Sequence, residues 1–146
     1  MSATREQLER LDAISCGEDP RHLEELAAIL PTLSYEGCGE PVFTALLGIF
    51  ERSPLSDGFE SYWSIVHFLE ACDGYEPYLL ESIAREPTEL TLTMVNRLIN
   101  AGLRECGGVA FLEVLGSVAA RADVDPRLKE LARKSVQYQR RGGSDA

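Results

Sequence analysis

The stretch "DGFESYWSIVHFLEACDGYEP", residues 57–77, brings together the chain's single tryptophan, one of its two histidines, a cysteine and five acids. An imidazole beside a carboxylate suits general acid–base work, and an imidazole beside a thiol suits nucleophilic work. The spacing disfavours the second. Cys72 lies five residues beyond His67, about 500° round a helix, so an unbroken helix points the two apart. His67 instead stands four residues after Trp63 and three before Glu70, a spacing that builds one ridge. Phe59, Tyr62, Trp63, Val66 and Leu69 share an arc of about 100°, the stripe a helix turns to its core.

Glu70 falls inside that arc. A carboxylate on an apolar stripe is costly unless it is paired. The expected partner is Arg97 in "MVNRLINAG", with Asn96 and Asn100 on either side. Trp63, His67, Glu70, Arg97 and Asn100 are therefore read first as a structural network, with a partner-binding or hydrolytic site as the alternative. No residue receives a catalytic role, and the chain is not expected to be an enzyme.

The other motifs are weak as chemistry. Cys16, Cys38, Cys72 and Cys106 form no CxxC pair and no zinc-finger spacing, so no metal and no cofactor is expected. Reduced, partly buried thiols are the expectation. "ECGGVAF" at 105–111 has no strand before it and is read as opening a helix, not as a phosphate loop. Gly107, Gly108 and Gly116 would then permit close helix approach. Glu24 and Glu25 are read as a solvated pair.

The elements that must position these residues are helical. Apolar residues recur at helical spacing along the chain, and strand alternation is scarce. Thr4 and Gln7 have capping-box spacing for a first helix ending near Ile14, with Leu8 and Leu11 inward. Asp19 and Pro20 open the second, which Pro31 closes. "PVFTALLGIFER" is the third. Asp57 with Glu60, and Asp73 with Glu76, read as caps for the fourth and fifth. Pro87 ends the fifth, and Thr88 caps a sixth that stops at Gly102. A seventh spans about 105–121. Asp125 and Pro126 open the eighth, and residues 140–146 are a tail expected to fray. Odd-numbered helices start at steps of roughly 30 to 37 residues, the range of helical-repeat units. The expected fold is all-α: about eight helices of 11 to 17 residues in one domain, 1–146, arranged as four stacked antiparallel hairpins resembling HEAT repeats. A compact helical bundle is the alternative.

Charge narrows the partners. The net charge is −10, unevenly spread. Residues 1–89 carry 18 acids against 5 bases, and residues 90–146 carry 6 against 9. An acidic body repels nucleic acid and attracts a basic partner. No apolar run approaches the roughly 20 residues a bilayer requires. The start "MSATREQLERLDAI" is polar rather than a secretory signal. A cytoplasmic chain with no membrane or nucleic-acid partner is expected.

The core "YWSIVHFLEA…YEPYLLESIAREPTELTLTMVNRLINAG" resembles small bacterial immunity proteins of polymorphic-toxin and contact-dependent inhibition systems, the immunity protein 30 family and its HEAT-like relatives. The resemblance rests on Trp63, His67 and Glu70, on "ESIAREP" at 81–87 and on "NRLINAG" at 96–102. It covers about 45 residues, from Tyr62 to Leu103. It implies a non-catalytic antidote that binds one cognate toxin C-terminal domain and blocks its active site or substrate groove. Many such toxins are nucleases with basic clefts. Between residues 31 and 89 stand 11 acids against 2 bases. Glu36, Glu40, Asp57, Glu60, Asp73 and Glu76 are therefore the candidate toxin contacts, with Tyr35 and Tyr75 as aromatic anchors. A helical-repeat adaptor without a toxin partner is the alternative function.

Overall fold

A computed structural model describes residues 5–14, 19–33, 38–56 and 60–142. The element order among them is α1 (Arg5–Asp12), α2 (Pro20–Ile29), a 3₁₀ turn (Leu30–Thr32), α3 (Glu40–Arg52), α4 (Trp63–Glu70), α5 (Glu76–Arg85), α6 (Glu89–Asn100), β1 (Glu105–Cys106), β2 (Val109–Ala110), α7 (Phe111–Ala120) and α8 (Pro126–Arg140). Among the described residues the fold is all-α but for one two-stranded antiparallel hairpin. None of the described helices is long and apolar enough to cross a membrane.

Local chemistry starts several helices where the residues require. The two Asp-Pro-Arg starts work alike. Asp19 accepts from the backbone N–H of Arg21 at 2.9 Å, and Asp125 from that of Arg127 at 2.8 Å. Each arginine also folds back onto the same carboxylate. These contacts hold Asp19 at a pKa of about 2 and lower that of Asp125. Thr88 and Thr91 form a reciprocal capping box for α6, each hydroxyl accepting from the other's backbone N–H at 3.1 Å. Gly102, at φ 94°, takes the left-handed conformation just past the end of α6.

Several boundaries differ from expectation. The helices are shorter, 8 to 15 residues. α4 begins at Trp63, and Glu60 sits before it at φ 73° in a turn instead of inside the first helical turn. Asp73 does not cap α5. Gly74 at φ 86° follows it and breaks the run, so α5 starts at Glu76 with Pro77 just inside and no side-chain cap. The largest correction is at 105–110. Gly107 and Gly108, at φ 57° and 82°, reverse the chain between paired strands, the geometry a two-residue hairpin turn needs. Helix α7 consequently starts only at Phe111. Gly116 does not mark a close helix approach, because a Cβ built there meets nothing within 4 Å. Thr4 and Asp57, expected caps, lie outside the described residues. Gln7 donates to the carbonyl and hydroxyl of Thr32, and Glu25 pairs with Arg10 of α1 instead of standing solvated.

A second correction concerns sulfur. Cys38 and Cys72 form a disulfide with Cα atoms 6.1 Å apart, where reduced thiols were expected. It ties the approach to α3 to the end of α4. Sequence separation carries no information on that distance, so the pairing could not be read beforehand. Disulfides persist in oxidising compartments, so the cysteines lend no support to a cytoplasmic setting.

One apolar cluster runs from Leu11 to Val136 and draws on every helix. Tyr62, Phe50 and Phe111 are its largest fully buried side chains. α1 packs on α3 and α3 on α5, while α6 packs on α8; α1 also meets α2, and α5 meets α6. Beyond α5 the pattern shifts, and α7 packs on α6 and α8.

Polar ties join residues 34 to 41 positions apart. Arg52, ending α3, donates to the carbonyls of Leu11 and Ile14 at the end of α1. Arg121, after α7, donates to those of Ile83 and Ala84 at the end of α5. A cation at a helix C-terminus satisfies orphan carbonyls and complements the dipole. Arg85 pairs with Glu51 of α3 at 2.9 Å.

Candidate functional site

The predicted pair forms. Arg97 on α6 meets Glu70 at the end of α4 through two parallel bonds, Nε to Oε2 and Nη2 to Oε1, each 2.8 Å. This is the bidentate fork that arginine and carboxylate favour. The guanidinium also lies over the Trp63 ring, 5.5 Å from its centroid. His67 stands on the same ridge, its ring 6.1 Å from that of Trp63. The side chain of His67 is exposed.

Asn100 belongs to the same surface but serves another neighbour. Gln139 of α8 donates to the side-chain oxygens of Asn96 at 2.7 Å and Asn100 at 2.9 Å. The asparagine pair thus joins α6 to α8 rather than supporting Arg97. No feature of the sequence pointed to Gln139, because it lies 39 residues from Asn100.

Beside the Glu70–Arg97 fork opens a cleft of about 550 Å³ between the α4–α5 turn and the end of α6. Asp73, Tyr75 and Glu76 line it together with Glu70, Arg97 and Asn100. Two groups that were separate in the sequence, the loop acids and the helix-face network, therefore share one concavity. Tyr75 is buried, 4% exposed, and forms part of the wall without projecting as an anchor. Burial, assisted by Glu76 and Glu70, pushes its phenol up to about 12. Asp73 is exposed and Glu76 half-buried. Cys72 also lines the cleft, but its sulfur is bonded to Cys38 and offers no thiolate.

The remaining candidates are dispersed. Glu40 lines a different cleft, of about 600 Å³, with Asp12, Glu51, Arg52 and Arg85. Glu60 is exposed in the turn before α4. Tyr35, Glu36 and Phe59 lie outside the described residues, as does Asp57. What the cleft can do chemically follows from its charge: three carboxylates surround one guanidinium that Glu70 already neutralises. It is suited to a cationic side chain or a basic surface.

No protein-family model matches the chain, and no curated protein and no solved structure matches it either.

Proposed function

We propose that the chain is an immunity protein that binds and neutralises a cognate toxin domain, a basic, nuclease-type effector, by covering its active site or substrate groove. The observation that carries this reading is the cleft at the α4–α5 turn, where Asp73 and Glu76 stand beside Glu70 on the most acidic part of the chain. Residues 31–89 carry 11 acids against 2 bases, and such a field steers a basic partner and speeds encounter. The resemblance of residues 62–103 to the immunity protein 30 family points the same way. In this reading the chain has no catalytic activity and needs no cofactor.

The test is recovery of the partner. The tagged protein serves as bait in the native bacterium, washed at low and then at high salt. A single toxin C-terminal domain retained through the wash is the expected result. Many weak partners lost in salt would favour the adaptor reading. The charge reversals Asp73→Lys and Glu76→Lys together should slow association with that domain and flatten its salt dependence. An unchanged on-rate removes the cleft from the interface.

A further inference from the structure

A second concavity lies where the helix stacking changes. Helix α1 packs on α3 and α3 on α5, but α7 turns to α6 and α8. The β1–β2 hairpin takes up the residues that would have extended α7 towards its N-terminus. A groove of about 470 Å³ is left between α5 and α7. Its lining is apolar: Ile83 and Val118 are buried beneath it, Leu80 and Val114 are half-buried, and Val109 from the hairpin stands 44% exposed at its edge. The groove falls in the size range of sites that take apolar groups. Val109 is one of three large apolar residues exposed among those described.

Two exposed carboxylates, Glu81 on α5 and Glu113 on α7, line the groove on opposite sides. Neither makes an ion pair among the described residues. The one cation there, Arg121, is occupied by Asp123 at 2.8 Å and by the α5 carbonyls. An apolar trough flanked by acids is complementary to an amphipathic segment whose polar side is basic. We infer that this groove docks an amphipathic, basic segment of a partner protein, apolar side chains inward and lysines or arginines against Glu81 and Glu113. The inference requires a protein partner but not that the partner is a toxin, so the two readings can fail separately.

The probe is a synthetic helical peptide of leucine and lysine with one apolar face, and its counterpart with glutamate in place of lysine. Both are titrated into the ¹⁵N-labelled full chain and followed by amide shifts. The lysine peptide should move the amides of Ala84, Val109, Val114 and Ser117, and the glutamate peptide should leave them still. Glu81→Lys with Glu113→Lys, both at exposed positions, should weaken the lysine peptide about tenfold or more. Shifts confined to the cleft around Asp73, or equal binding of both peptides, would overturn the inference. So would a concentration-dependent dimer whose groove amides broaden without peptide, because a second copy would then be the occupant. If the groove binds the peptide and the bait recovers no toxin, the groove stands and the immunity reading falls. If a toxin is recovered and the double reversal leaves its affinity unchanged, the groove is not its docking site.

Discussion

Helices α3 and α5 close on each other, whereas α5 and α7 part along an open groove. At the closed step Glu51 is largely covered, its side chain 18% exposed, and it accepts from both Arg85 and the buried hydroxyl of Ser82, the latter at 2.7 Å. At the open step the only polar tie among the described residues is Arg121, which reaches the end of α5 from the end of α7 and leaves the middles of the helices apart. The Glu51 tie takes in a buried side-chain hydroxyl of α5, whereas the Arg121 tie reaches only backbone carbonyls at the end of that helix. The α4–α6 tie, Glu70–Arg97, is covered to much the same degree, its side chains 24% and 43% exposed against 18% and 51% for Glu51 and Arg85. What sets the Glu51 pair apart is the buried Ser82 hydroxyl that the same carboxylate holds.

The largest effect should come from the covalent tie on the closed side. Reducing Cys38–Cys72, or replacing both by serine, frees a loop closed across 34 residues and should cost about 3–4 kcal/mol of stability, read as a fall in the denaturant midpoint. A midpoint indifferent to reductant would mean that the closed half does not depend on its staple.

Next comes Glu51→Ala. It strands the hydroxyl of Ser82, which is fully buried, and should cost about 1–3 kcal/mol. Glu70→Ala breaks a pair of similar exposure without stranding a buried hydroxyl and should cost less, on the order of 1 kcal/mol at most. Chemical denaturation of the two variants side by side measures the difference directly. Equal losses would mean that the Ser82 hydroxyl adds nothing to the Glu51 tie.

Thr88→Ala removes the capping box of α6, the helix common to both sides, and should cost about 1 kcal/mol. Hydrogen exchange should show the loss first at the amides of the first turn of α6. Protection lost uniformly along α6 would show that the cap does not act locally.

The last effect is a titration that has no consequence at neutral pH. Burial holds the phenol of Tyr75 at about 12, above its ordinary 10. The folded state therefore keeps a proton that the unfolded chain releases. Stability is unaffected below pH 10 and declines as the pH rises from about 10 towards 12. Ultraviolet difference titration should show tyrosine ionising late, and Tyr75→Phe should lower the amplitude of that late step by one phenol. At the acid end, Asp19 and Asp125 are held below the ordinary carboxylate range by Arg21 and Arg127, so their contribution is lost as the pH falls below about 4.

Residues 19–20, 88 and 125–126 announced helix starts correctly because a cap is a bond between residues two or three apart. Glu70 announced its partner for a different reason: a carboxylate on an apolar stripe must be neutralised, and Arg97 was the cation at the right helical position. The cleft itself was legible only in pieces. Asp73 and Glu76 were marked as loop acids and Glu70 as a network residue, but nothing in their spacing placed them round one concavity.

What the sequence determined alone is therefore the all-α class, most helix starts, the acidic asymmetry and one long-range pair. These follow from periodicity, capping chemistry and charge, all local or additive quantities. Tertiary structure decided the rest. It joined Cys38 to Cys72, set Glu51 between Arg85 and Ser82, and turned Asn100 towards Gln139. It also set α7 away from α5, behind a hairpin whose two glycines suit a turn as readily as a helix approach. Each of these depends on which surfaces meet once the chain has packed, a property of distances that residue order does not contain.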